Sequence, residues 1–251
     1  FSGMDSTTYA IDHSMMPALR VASRDEAPAM HGSQEGASFS RRLGMLAPRP
    51  GSRVCRRCTA QNLVEQGFSW YQREHQLIGV DLCVVHGCGL CVFDGVDAYS
   101  EPPEIREARG EFQPIQVDVA EQNGSDSFVT RFVSISCSYL HRNAPLSARA
   151  LHAELASRAR AVGLRISDSG NRPLLSDAIL EQAPKVWLQA HFPRLFSKSP
   201  LKKHYPIDAL LMPSAVAGSG DAYAMAIAAI SSNESDSRAP IAMSTYVPAG
   251  R

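Results

Sequence analysis

Apolar positions fall into a helical rhythm only in the second half of the chain. Phe128, Val129, Phe132, Val133, Ile135 and Leu140 recur at three- and four-residue steps, which predicts one buried helix face, although the β-branched residues within 133–139 also admit a strand. Ser147 stands where a hydroxyl can cap a helix. Leu151, Leu155, Ala159 and Val162 then form one apolar stripe, and Gly163 supplies a stop. Arg149, Arg158 and Arg160 lie off that stripe. A second capped stretch is predicted from Ser176, with Ile179 and Leu180 inside, and Pro184 opens a further helix through Trp187 and Leu188. Asp221 is placed to cap a last helix over 223–230, whose alanines suit close packing against a neighbour. The expected class is mainly α, with a helix-turn-helix-like bundle over 126–238 and a tail over 239–251.

The first half reads differently. Residues 1–50 are rich in Ser, Gly, Ala, Pro and Met without a sustained period, so they are expected to be an irregular arm, with Pro17 interrupting a helical turn within 12–24. Residues 51–96 hold a small apolar set, Phe68, Trp70, Tyr71, Leu77, Ile78 and Val80, which predicts a miniature core. Pro102 and Pro103 follow, and 97–125 contains only a short charged helical candidate before Asn123-Gly124, the pattern of a linker.

The 51–96 stretch is also where the chemistry concentrates. Cys55-Arg-Arg-Cys58 and Cys83-Val-Val-His86 are two pairs with a two-residue gap, and such a gap lets one tight turn aim both side chains at a single ion. Four thiolate or imidazole ligands close a tetrahedral structural zinc site, which adds on the order of 10 kcal/mol to a module too small to fold on its core. The competing reading, buried free thiols beside a surface histidine, leaves the paired spacing unexplained. Cys88 and Cys91 leave the ligand set open. Either Cys88 replaces His86, or it joins Cys91 and a distant residue such as His75 in a second cluster, or both are small buried apolar side chains after a turn. Cys137, in an apolar stretch, reads as core.

Residues 53–90, RVCRRCTAQNLVEQGFSWYQREHQLIGVDLCVVHGCGL, resemble the zinc-binding signature of the TniQ/TnsD family of transposon target-selection proteins. The matching positions are Cys55, Cys58, Gly67, Trp70, Arg73, His75, Gln76, Leu77, Cys83, His86, Gly87 and Leu90; Arg56 and Ile78 stand where the family commonly has proline. The resemblance implies a helical C-terminal part, which favours helix for 128–140. It also implies a non-catalytic adaptor that joins a target-recognising element, DNA or an RNA-guided effector, to an ATPase regulator that recruits the transposase. Trp70, Tyr71, Arg73, His75 and Gln76 would then stabilise or present the zinc module's surface, with simple packing the alternative for Trp70 and His75. A homodimer is compatible with this role.

Charge qualifies that picture. The 251-residue chain balances 25 Lys and Arg against 25 Asp and Glu, whereas a stand-alone nonspecific DNA binder usually shows a cationic excess. The excess here is local. Residues 182–207 contain no acidic residue, and Lys185, Arg194, Lys198, Lys202 and Lys203 alternate with Trp187, Phe192, Phe196 and Tyr205. Such a segment suits nucleic-acid or partner binding, or simply places aromatics in the core and lysines in water. Two other functions stay open: a stand-alone zinc-containing sequence-specific DNA-binding regulator, and a zinc-stabilised structural subunit without nucleic-acid contact. Enzymatic signatures are missing. There is no His-Glu-x-x-His, no deaminase pattern and no phosphate-cradling glycine loop, and a four-ligand shell leaves no open position for water. With no apolar run approaching about 18 residues and no secretory pattern, the expectation is a cytoplasmic protein without membrane contact.

Overall fold

The computed structural model describes residues 3–33, 51–115, 120, 124–166, 170–213 and 216–231. In chain order the elements are α1 (Ser6–Asp12), α2 (Met16–Leu19), β1 (Ala22–Ser23), β2 (Ser52–Val54), α3 (Arg56–Gln66), a 3-10 turn (Glu74–Gln76), β3 (Cys91–Phe93), α4 (Pro103–Ala108), β4 (Gln113–Pro114), α5 (Ser127–Tyr139), β5 (Leu146–Ser147), α6 (Ala148–Ala161), α7 (Leu175–Gln182), α8 (Lys185–His191), α9 (Pro193–Phe196), α10 (Tyr205–Asp208), a second 3-10 turn (Ala209–Leu211) and α11 (Gly220–Ile230). The protein is mainly helical. Its described residues divide into two units, one from 3–33 with those from 127 onward, the other from 51–126.

In the helical unit the ambiguous 128–140 stretch is the helix α5, burying Phe128, Val129, Phe132, Ser136, Cys137 and Tyr139. It packs against α11, where every residue except Asp221 is buried. Trp187 of α8 is fully buried, with Phe128, Phe132 and Phe192 at ring-centroid distances of 6.1, 5.0 and 5.1 Å. The first two of these are edge-to-face, the arrangement that opposed ring quadrupoles favour. Where α2 approaches α11, a Cβ on Gly220 would stand 2.2 Å from the Ala18 carbonyl oxygen, so only glycine fits there.

Caps explain the helix starts, with two corrections. Ser147 accepts from the Ala150 N–H, and Gly163, at φ +81°, follows the end of α6. Val162, expected in the apolar stripe, is exposed because the chain has already left the helix there. Ser176 does not cap α7. It lies buried inside the first turn, and the carboxylate of Asp208, from α10, accepts both its N–H (2.9 Å) and its hydroxyl (2.7 Å). Likewise α11 begins at Gly220 behind Ser219, leaving Asp221 in the first turn, where a carboxylate meets the positive end of the helix dipole.

Residues 1–50, expected to be an irregular arm, contain α1, α2 and β1 within the helical unit. The Asp5 carboxylate caps α1 by accepting from the Thr7 and Thr8 N–H groups, at 2.9 and 3.0 Å. Pro17 sits in the first turn of α2, where its missing N–H costs nothing, so it starts a helix instead of interrupting one. β1 pairs in parallel with β5, Ala22 opposite Leu146 and Ser23 opposite Ser147. The expected tail at 239–251 lies outside the described residues.

The second unit is built on an antiparallel three-stranded sheet, β2-β3-β4, with Ser52, Arg53 and Val54 opposite Phe93, Val92 and Cys91. Its core is Val54, Cys91 and Phe112, with Tyr71 and Phe93 packed against it. Leu77 and Val80 are buried as expected, but Phe68 and Trp70 are exposed and rest on each other at 5.7 Å. In 97–125, read as a linker with one short charged helical candidate, that helix is α4, and β4 joins the sheet. Ser69 donates its hydroxyl to Glu104, and Arg56 pairs with Glu107 at 2.9 Å, so α4 is strapped to the loop after α3 and to α3 itself.

Truncation should separate the two tryptophans. Trp187→Ala is expected to cost about 3–5 kcal/mol in chemical denaturation, and Trp70→Ala less than about 1 kcal/mol.

Candidate metal centre

Cys55 occupies the N-cap of α3 and Cys58 its first turn, so both thiols gather at the end of the helix whose free N–H groups favour negative charge. The second pair is presented by a hairpin turn. Cys83 N–H donates to the Cys88 carbonyl (2.9 Å), Gly87 N–H donates to the Cys83 carbonyl (2.8 Å), and Leu82 bridges to Gly89. Gly87 takes φ +62°, a left-handed conformation that glycine adopts without a Cβ penalty. The His86 N–H points at Cys83 Sγ, 3.4 Å away.

These elements bring Cys55, Cys58, Cys83 and His86 together, with all four ligand atoms within 4.8 Å of one another. His86 Nδ1 lies 3.5 Å from Cys55 Sγ, 3.3 Å from Cys58 Sγ and 3.6 Å from Cys83 Sγ, and Cys58 Sγ lies 3.6 Å from Cys83 Sγ. A tetrahedral ion with bonds of about 2.3 Å to sulfur and 2.0–2.1 Å to nitrogen has edges of about 3.8 Å between sulfurs and 3.6 Å from sulfur to nitrogen. The donors therefore already stand close to the separations such an ion requires, and no disulfide competes for them. This cluster can hold a metal ion.

The clustered thiols shift one another's protonation. Hydrogen bonds from Cys55 and Cys58, reinforced by the His86 and Val85 N–H groups, hold the Cys83 thiol down at about 3 despite its burial. Cys58 is shifted the opposite way, because its proton is shared with Cys55 and Cys83 and it too is buried. A metal ion would replace those shared protons.

The remaining candidates separate cleanly. Cys88 Sγ lies 3.5 Å from Cys55 Sγ, yet it falls outside the group of four. Cys91 is in β3, part of the hydrophobic core, and burial pushes its thiol up. A second cluster with His75 is not present among the described residues. Cys137 is fully buried in α5. His75 is 2% exposed, and burial lowers its pKa against the opposing influence of Cys55, so it packs beside the site as a neutral ring. Gln76 has a more definite task. Its amide donates to the Arg53 and Gln72 carbonyls at 2.7 and 3.0 Å and accepts from the Arg53 N–H and the Tyr99 hydroxyl, both at 3.0 Å. This side chain ties the 3-10 turn to β2, immediately ahead of Cys55.

The basic segment is only partly a surface. Lys185, Arg194 and Lys202 are exposed, and Lys203 lies 6.0 Å from the Tyr205 ring. Lys198, expected with them, is withdrawn: its side chain is 5% exposed and forms an ion pair with Asp177. Burial raises the Asp177 pKa, but Lys198 and the Leu174 and Leu201 N–H groups outweigh it and keep the carboxyl below its usual range. Trp187 and Phe192 belong to the core, whereas Phe196 and Tyr205 are exposed.

Arg106 went unnoticed in the sequence because its polar partners, five to nine residues away, stand at no regular spacing. It is 2% exposed, bonded to Glu111 (2.8 Å) and to the Asp97 carbonyl (2.7 Å), and stacked 4.1 Å from the Phe93 ring centre. Among the described residues no helix is long and apolar enough to cross a membrane. No family model and no curated protein matches the chain.

Cys58→Ser should abolish tight metal binding, measured as metal content after gel filtration, while Cys91→Ala should retain it and lose only core packing. Metal affinity should also weaken as the pH falls from about 8 to about 6 in chelator competition, because the Cys58 thiol, held protonated by its neighbours and its burial, must give up that proton to bind as a thiolate.

Proposed function

We propose that Cys55, Cys58, Cys83 and His86 hold one structural zinc ion and that this zinc module belongs to a target-selection adaptor of the TniQ/TnsD kind. The observation that carries the metal assignment is the convergence of the four ligand atoms within 4.8 Å. Three thiolates and one imidazole at tetrahedral separations suit zinc, and a shell of four protein ligands leaves no coordination position for an activated water. That closure suits a structural rather than a catalytic ion, and it supports reading the protein as one whose chemistry is binding.

The adaptor role rests on the residues between the two ligand pairs. Gln76 and His75 are spent on positioning β2 and packing the site, which accounts for a run of signature positions by the work they do around zinc. In this reading, α7 and α8, joined through Ala183 and Pro184, form the helix-turn-helix-like pair. Lys185, Arg194, Lys202 and Lys203 supply its contact with target DNA or with a protein partner, and Lys198 serves the fold. The partners are a transposition ATPase regulator with its transposase, and DNA or an RNA-guided effector as the target-recognising element.

Reconstitution tests this. The purified chain is expected to bind a transposition ATPase regulator, and replacing Lys202 and Lys203 by Glu should weaken DNA association of the assembled complex about tenfold, with a reduced salt dependence. Tight, sequence-specific DNA binding by the chain alone, without affinity for an ATPase regulator, would establish the stand-alone regulator instead. Unchanged DNA association after both substitutions would remove the basic segment from the interface.

A further inference from the structure

The site has one donor more than a tetrahedral ion uses. Cys55 and Cys83 are 1% exposed and Cys58 8%, so three thiols form a buried base fixed by α3 and the hairpin turn. The fourth corner is different. His86 and Cys88, on either side of Gly87, are both only half-buried, so the solvent-facing side of the cluster has two candidate donors for one position.

Cys88 is already at ligand distance from part of that base. Its Sγ stands 3.5 Å from Cys55 Sγ, the same separation as between Cys55 Sγ and His86 Nδ1. The backbone at Cys88 is anchored, since its carbonyl accepts the Cys83 N–H. What keeps Cys88 outside the group of four is therefore side-chain placement across a short turn, and Gly87 gives that turn its left-handed step without strain.

We infer that Cys88 is a reserve ligand, so that the site has two closed shells: Cys55, Cys58 and Cys83 with His86, or the same three with Cys88. This inference rests on the metal reading above and deepens it. Exchange of an imidazole for a thiolate at the exposed corner adds one negative charge to the site and releases the His86 ring to solvent or to a partner, while the buried base stays in place. Such exchange needs no oxidant and no further reactant, only transfer of the Cys88 thiol proton to solvent or buffer.

Cobalt(II) is the probe, because its visible bands and thiolate-to-metal charge-transfer absorption count sulfur ligands in a tetrahedral site. Wild type and Cys88→Ser are expected to give the same three-sulfur, one-nitrogen spectrum. His86→Ala should still bind one cobalt per chain, with its spectrum shifted to four sulfurs, and the His86→Ala, Cys88→Ser double variant should bind at least about tenfold more weakly than His86→Ala alone. Circular dichroism of each variant with and without metal reports whether the chain is folded. A three-sulfur spectrum in His86→Ala, or equal affinity in the single and double variants, overturns the reserve-ligand inference while leaving the metal site standing. A wild type that binds no cobalt overturns both.

Discussion

Three buried thiols that face one another cannot all ionise without a cation among them. That constraint organises the unit from 51 to 126. The helix α3 starts where it does so that Cys55 and Cys58 share its N-terminal end, and the turn at 83–88 folds back so that Cys83 and His86 complete the set. The apolar core beside it, Val54, Cys91 and Phe112 with Tyr71 and Phe93 at its edge, is too small to dominate the stability of such a unit. In the zinc reading the ion supplies what that core lacks, and polar ties such as Gln76 and Arg106 set the register of the segments around it.

The helical unit solves a different problem by a more familiar route. Its core is filled by Trp187 among Phe128, Phe132 and Phe192, and by the small-residue helix α11 lying against α5. Two of its carboxylates close backbone needs. Asp208 receives the Ser176 N–H and the His204 N–H, and Asp177 receives the Leu174 and Leu201 N–H groups along with Lys198. These carboxylates stitch α7 to the segments that follow it, so two of the few acidic groups near the basic stretch serve the fold.

Local signals were legible in the sequence, and distant ones were not. The two-residue gaps at Cys55–Cys58 and Cys83–His86 are local, and so are the Ser147 cap, the Gly163 stop and the periodicity of α5. Ser176 misled because its real partner, Asp208, is far along the chain and belongs to another helix. Pro17 misled because a proline that interrupts a helix and one that begins a helix look alike until the first turn is located. The reading of 97–125 as a linker with one short charged helix missed β4 and overlooked Arg106. Its partners Asp97, Ser100 and Glu111 are polar residues in a proline-punctuated stretch, and only the fold shows that one guanidinium holds them together. Lys198 looked like surface charge because nothing in its own neighbourhood reveals the carboxylate of Asp177.

The central claim is that one zinc ion closes the Cys55, Cys58, Cys83 and His86 shell and holds the surrounding unit folded. Native mass spectrometry combined with hydrogen exchange addresses both halves at once. One zinc per chain, with loss of amide protection over 51–115 when a chelator strips it, is the predicted result. A chain that carries no metal as purified, takes up none when zinc is supplied, and still protects those amides would contradict the account.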